Sequence, residues 1–251
     1  MSIKETCNKC GNEVVGDRKL DDKVWNCPTC GLEEYQSQSS PTEEMGVYLF
    51  KHYEDKDKEL KIAVKGKIMF ISGIGDIGEY SLDNMKLNTI DKECCVVIVE
   101  EGITELERAI FCYRSNLEYV TLPSSLTWIS AEAFEGCKKL KHVHLAGNNL
   151  SQIGRCAFLE CISIEEIILP ESLNLISEAA FCKCTELRTI ILPKGVKEVE
   201  AEAFKYCKNL KAIEIQNPNI IIGEDAFKGC QRLVDIKAPE HITKKVLEQI
   251  Y

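Results

Sequence analysis

The sequence predicts an α/β solenoid, an array of about seven 23-residue coils, and two observations predict it. The first is a phenylalanine that recurs at Phe111, Phe134, Phe158, Phe181, Phe204 and Phe227, at steps of 23, 24, 23, 23 and 23 residues. The second is a set of apolar columns locked to that phenylalanine. One runs six residues after it, from Leu117 to Leu233, one nine residues after, from Val120 to Ile236, and one eleven after, from Leu122 to Ile215. Apolar residues in the last two columns with polar ones between them have the period of a short strand with one buried face. The alanine, phenylalanine and cysteine of each unit follow a helical spacing instead. Each unit therefore reads as one helical turn plus one strand, too small to close a core alone but able to bury its apolar edge against a copy of itself.

Ahead of the array, "CNKCG" and "CPTCG" place Cys7, Cys10, Cys27 and Cys30 as two Cys-x-x-Cys turns separated by 16 residues. Two such turns present four thiolates in the tetrahedron that Zn²⁺ takes in closed structural sites, and the glycine after each frees the backbone to turn. Residues 1–35 resemble zinc ribbons. The resemblance implies a structural Zn²⁺ on four protein ligands, with no open position for water and hence no hydrolytic role. Iron on the same thiolates and a dithiol redox pair are the alternatives. Residues 1–36 carry five Lys or Arg against seven Asp or Glu, which disfavours a phosphate-contacting ribbon.

Residues 36–45, with "QSQSSPTEE", read as a flexible linker. Residues 46–87 read as an N-terminal cap: "GVYLFKHY" and "ELKIAVKGKIMFIS" alternate like hairpin strands divided at Lys65 and Gly66. "GIGDIG", residues 73–78, matches the dinucleotide fingerprint, but no amphipathic helix or βαβ unit follows it, so nucleotide binding is not expected.

Residues 88–239 hold the coils, and Cys94, Val97, Val99, Ile103 and Leu106 extend the register to a coil lacking its phenylalanine. With strands roughly 5 Å apart the stack would be about 35 Å long. The recurring AF-xx-C-xx-L-xx-I-x-LP pattern, together with "IMFISGIGDIGEY" before it, resembles the BspA-like bacterial leucine-rich repeats over about residues 60–240. The resemblance implies a curved right-handed solenoid whose concave strand face recognises another macromolecule, and members are often secreted or surface-attached. This chain departs there, because "MSIKETCNKCGNEVV" has no apolar run behind a basic start. Residues 240–251 read as a C-terminal cap helix with Thr243 as its N-cap and Val246, Leu247 and Ile250 as its contacts.

Of 14 cysteines, Cys137, Cys161, Cys184, Cys207 and Cys230 fall three residues after the repeat phenylalanine, where reduced, inward packing thiols are expected. A formal charge of −9 and no apolar stretch long enough to span a bilayer point to an acidic cytoplasmic protein, a poor candidate for nucleic acid. No catalytic constellation or small-molecule site emerges around the four histidines, so a non-enzymatic role is expected.

The expected site is the concave face. Val96, Ile98, Tyr119, His142, His144, Glu166, Ile168 and Ile191 occupy its two outward columns, and isoleucines stand where the resembled repeats carry small hydroxyl residues. An apolar stripe with an aromatic and a few polar neighbours fits a protein partner. His142 and His144 share a strand face and allow two-point chelation, with no third ligand evident. An exported adhesin and a nucleic-acid regulator acting through the ribbon are the competing functions.

Overall fold

The computed structural model describes residues 3–6, 13–16, 23–26, 33–36, 46–51, 59–77 and 93–250. The chain divides into two compact units, Met1–Met45 and Gly46–Tyr251. In the first, β1 (Ile3–Thr6), β2 (Glu13–Gly16), β3 (Lys23–Asn26) and β4 (Glu33–Gln36) form an antiparallel sheet in sequence order. Cys7, Cys10, Cys27 and Cys30 lie outside the described residues. Because β1 and β3 run the same way, Thr6 and Asn26, the last residues before each Cys-x-x-Cys pair, sit at one end of the sheet, as do Glu13 and Glu33, each three residues after the second cysteine.

The second unit opens with the antiparallel strands β5 (Gly46–Lys51), β6 (Glu59–Lys65) and β7 (Ile68–Ser72). Gly66, at φ 56°, makes the tight β6–β7 turn, a conformation glycine adopts without penalty. The chain then alternates between two parallel ladders through β8 (Gly75–Asp76), β9 (Val96–Val99), β10 (Ile103–Leu106), β11 (Tyr119–Leu122), β12 (Trp128–Ile129), β13 (His142–Leu145), β14 (Gln152–Ile153), β15 (Leu175–Ile176), β16 (Thr189–Leu192), β17 (Glu198–Val199), β18 (Ala212–Ile215), β19 (Ile221–Ile222) and β20 (Asp235–Lys237). Long strands form the sheets β13-β11-β9-β7-β6-β5 and β16-β18-β20, and short ones the sheet β19-β17-β15-β14-β12-β10-β8. The glycine-rich run 73–78 contributes β8, where Gly75 and Asp76 pair with Ile103 and Glu105.

The helical turn expected in each coil is not a helix. The residues two before and two after each phenylalanine have φ between 54° and 77°, as at Glu132 (61°) and Gly136 (69°) around Phe134. Alternating right- and left-handed residues swing every second N–H out of the turn, so the N–H groups of Glu132, Phe134 and Gly136 donate to the carbonyls of Arg155, Ala157 and Leu159 in the next coil. The apolar spacing fits a helix, but the N–H groups that a helix would satisfy internally are satisfied between coils. In this third ladder the donor lies in the earlier coil. In the strand ladders donors come from both coils: His142 N–H donates back to Glu118 O at 3.2 Å and Ser151 N–H to Thr127 O at 2.8 Å, whereas Gly75 N–H donates forward to Gly102 O at 2.8 Å.

The core lies between the three ladders. Six repeat phenylalanines are fully buried and stack with centroids 5.1 to 5.4 Å apart. Beside them each column thiol donates to the phenylalanine carbonyl of the preceding coil: Cys137 to Phe111 O (3.0 Å), Cys161 to Phe134 O (3.1 Å), Cys184 to Phe158 O (3.3 Å), Cys207 to Phe181 O and Cys230 to Phe204 O (both 3.2 Å). Each of these carbonyls also accepts a backbone N–H from its own coil, as Phe134 O does from Cys137 N–H at 3.1 Å. The thiol thus fills the second lone pair of a buried acceptor, which alanine cannot do.

The last coil is closed by α1 (Glu240–Ile250). Thr243 is not its N-cap: the helix begins three residues earlier, behind Pro239, whose fixed φ suits a helix start, and the Thr243 hydroxyl turns back to Ala238 O at 3.3 Å. Ile242, Val246 and Ile250 are buried, whereas Leu247 is exposed. Gln249 caps the third ladder, accepting from Phe227 N–H at 3.3 Å and donating to Gly223 O at 2.7 Å, while Ile250 O accepts from Gly229 N–H.

Two outcomes are expected. Replacing Gln249 by alanine leaves the Phe227 N–H without its side-chain acceptor, and should cost about 1 kcal/mol and speed hydrogen exchange at Phe227 first. Burial pushes the Cys137 thiol up to about 12 and raises Cys161, Cys184 and Cys207 well above the ordinary thiol value too. A thiol whose pKa rises on folding binds its proton more tightly when folded, so this stabilisation is complete below about pH 8.5 and is lost as pH climbs through the folded values. Chemical denaturation from neutral to strongly alkaline pH should show the decline, and alkylation of the five column thiols should require unfolding.

Candidate interaction face

The long strands expose one row of side chains on either side of each buried one. In the first row Ile68 pairs with Val96, Val96 with Tyr119, and Tyr119 with His142. In the second, Phe70 pairs with Ile98, Ile98 with Thr121, and Thr121 with His144. Val96, Ile98, Tyr119 and His144 are half-buried, and Thr121 is buried, so neighbouring side chains close over this part of the face. Tyr119 and His142 stack with ring centroids 4.7 Å apart and planes 15° off parallel. Ile68 and Phe70 extend the apolar rows into the N-terminal cap. The sequence reading stopped short of them because the period of 23 does not reach back to β7.

Further along, the face changes character. Ile168 is 81 % exposed and Ile191 52 %, in the same row of successive coils, with Glu166 exposed beside them. Here the sheet is interrupted. β13 and β16 belong to different sheets, and the intervening segment 165–169 forms no strand. Among the described residues the one backbone bond joining it to a neighbouring long strand's coil is Arg188 N–H to Glu165 O, 2.9 Å. The short-strand and phenylalanine ladders run on unbroken across the same coil, through Gln152 paired with Leu175 and Phe158 N–H to Ala180 O. A cleft of about 440 Å³ opens at the interruption, lined by Lys141, His142, Glu165, Glu166, Arg188 and Thr189. Arg188 and Glu165 form an ion pair at 3.1 Å with both side chains 55 % exposed, a geometry that contributes little to stability.

The eight residues that the sequence singled out therefore fall into two groups. Val96, Ile98, Tyr119, His142 and His144 form a packed patch on β9, β11 and β13, whereas Glu166, Ile168 and Ile191 flank the interruption. The histidine pair gains no third ligand: among the described residues no group of three or more His, Cys, Asp or Glu side chains is placed to hold a metal. No described helix is long and apolar enough to cross a membrane.

The coil-by-coil register decides the family. A family model described as BspA type leucine rich repeat region matches in six copies, over residues 64–149, 104–234 and 197–246. The chain belongs to the BspA-type leucine-rich repeat family. Among solved structures it is similar to a leucine-rich repeat protein of T. pallidum, with 22% identity and a TM-score of 0.50 over 85% of this chain and 97% of that one. It also matches a leucine-rich repeat protein of Eubacterium ventriosum, at 19% identity and a TM-score of 0.47 over 77% and 72% of the two chains. A third match is a leucine rich cell surface protein of Faecalibacterium prausnitzii, at 21% identity and a TM-score of 0.48 over 80% and 56%. Likeness at these identities concerns the fold. No curated protein matches the sequence.

Within this BspA-type array the structure describes about six parallel turns, and the exposed apolar side chains Ile168 and Ile191 of the long-strand face are not needed for its core. The buried columns hold the coils together, and Ile168 and Ile191 take no part in them.

Proposed function

We propose that this BspA-type repeat protein is a non-enzymatic interaction module that binds a partner protein on its long-strand face, the face expected to be concave. The observation that carries the reading is the exposure of Ile168 and Ile191 beside an interrupted sheet. Fully burying one isoleucine is worth about 1.5–3 kcal/mol, which an isolated chain forgoes and a partner recovers. The half-buried Val96, Ile98, Tyr119 and His144 with exposed His142 would border that contact.

The test compares wild type with Ile168→Asp/Ile191→Asp as bait in extracts of the native host, with folding checked by circular dichroism. Both positions lie outside the core, so the melting temperature should barely move while a partner held by wild type is lost. Recovery of the same partners by both baits would sink the reading.

In the same proposal Cys7, Cys10, Cys27 and Cys30 hold one structural Zn²⁺. Support comes from their spacing and from a four-stranded sheet in which the described residues before the two segments, Thr6 and Asn26, lie at one end. Thiolate ligands bind metal only when deprotonated, so the affinity should fall on acidification. Treatment with a mercurial thiol reagent and a colorimetric zinc indicator should release about one zinc per chain, and none from Cys27→Ser/Cys30→Ser. Iron in the purified protein, or no metal at all, would overturn this assignment. A reducing cytoplasm suits the column cysteines, whose thiol hydrogens serve as donors. Oxidised column cysteines in protein from its native host would favour an exported adhesin instead.

A further inference from the structure

The chain carries −9 overall, yet one edge of the solenoid has the opposite sign. The four residues that lead into each long strand, four to seven after the repeat phenylalanine, hold seven Lys or Arg against three Glu over the six coils, so the rest of the chain carries −13. Lys138, Lys139, Lys141, Lys208 and Lys211 are all exposed. Lys138, Lys141, Lys208 and Lys211 make no ion pair among the described residues, and Lys139 spends its ammonium on Asn116 Oδ1 at 3.0 Å. Arg232 is similarly turned along the edge to Asn209 Oδ1 at 2.6 Å. From the coil of Lys138 to that of Arg232 there are four steps, about 20 Å at the usual strand spacing. The edge borders the long-strand face directly, and the cleft lined by Lys141, His142 and Arg188 opens where the two meet, next to Ile168 and Ile191.

We propose that the partner of this face docks through an extended acidic segment. It lies along the basic edge, sets its carboxylates against Lys138, Lys141, Lys208 and Lys211, and sets apolar side chains on Ile168 and Ile191. The inference rests on the partner-binding reading above and gives it a chemistry. Four exposed lysines that make no ion pair among the described residues attract a negative segment and repel a positive one, and their position beside exposed isoleucines asks for apolar groups in the same ligand. A nucleic acid fits less well. Glu118, Glu165 and Glu186 are interleaved with the cations, Glu165 already holds Arg188, and Glu166 lines the cleft. A chain with a phosphate on every unit must meet these carboxylates, whereas a peptide can space its acids around them.

The test is fluorescence anisotropy of the full chain with labelled peptides. One alternates Glu and Leu, a second replaces every Glu by Lys, a third replaces every Leu by Ser, and single-stranded oligothymidylate serves as a polyanion without apolar side chains. The Glu-Leu peptide should bind best, and its affinity should fall between about 50 and about 300 mM salt. Lys138→Glu/Lys141→Glu, and independently Lys208→Glu/Lys211→Glu, should each weaken it about tenfold. All four positions are on the surface, and circular dichroism confirms folding. No binding of the Glu-Leu peptide, equal binding of the Lys-Leu peptide, or indifference to both charge reversals overturns the inference. Equal or tighter binding of oligothymidylate overturns it in favour of a general polyanion site. The two readings fail separately. If Ile168→Asp/Ile191→Asp leaves the Glu-Leu peptide bound while charge reversal releases it, the face is wrong and the edge stands. If charge reversal spares a partner that the isoleucine variant loses, the edge is wrong and the face stands.

Discussion

Everything in the second unit depends on a single column of phenylalanines. Each ring is inaccessible to solvent and lies nearly parallel to the next, within 3° to 6° from Phe134 onwards and 21° at the first pair. A spacing of 5.1 to 5.4 Å is close to the distance between hydrogen-bonded strands, about 4.8 Å, so ring packing and backbone pairing can be satisfied by one translation. A side chain that did not repeat at this position would open a void between two coils and break register in all three ladders. The cysteine beside it is bound by the same constraint: it must be small, apolar in bulk and able to donate once to a carbonyl. A reduced thiol meets all three.

Because the core is confined to these columns, the outward rows are free to vary, and they do. The long-strand face passes from a closed patch around the Tyr119–His142 stack to an open segment where Ile168 stands clear of the sheet. The turns around the phenylalanines instead carry ion pairs across coils, Arg108 with Glu132 at 2.8 Å and Lys183 with Glu160 at 2.7 Å. Exposed pairs of this kind contribute about 0–1 kcal/mol each, less than the buried rows behind them. The residues that hold the coils together and those exposed on the long-strand face are thus different positions of one coil, and the face can be rewritten without touching the fold.

How much of this the sequence discloses follows from how often each contact repeats. The phenylalanine and cysteine columns are legible because each contact is written five times over. The turn geometry is not: Ala133, Phe134, Cys137 and Leu140 have helical spacing, and nothing in side-chain pattern tells a helix from a turn with left-handed residues at Glu132 and Gly136. The short-strand sheet was missed because strands of two residues, such as Trp128–Ile129, are too brief to alternate. The interruption at 165–169 gives no sequence signal, since "EEIIL" alternates as well as its neighbours do. The basic edge is hidden for another reason: its lysines are scattered 23 residues apart in a chain whose sum is negative, and only the coil register gathers them. Thr243 misled because it is a good capping residue placed inside the first turn, where Pro239 had already set the start.

The one-way hydrogen bonding of the phenylalanine turns bears on how such a molecule can change in size. Their inter-coil N–H groups all point toward the C-terminal end, as Phe134 N–H does to Ala157 O. Along parallel strands successive peptide groups point alternately to the two neighbours, so their dipoles largely cancel. Aligned dipoles add, as in an α-helix, so the positive end of the phenylalanine ladder lies at the last coil. There the Gln249 side-chain oxygen and the Ile250 carbonyl accept the final N–H groups. A coil gained or lost inside the array leaves that closure in place and changes stability mainly by one coil's packing. Repeat number can then drift over generations, provided Gln249 or an equivalent acceptor remains to close the last turn.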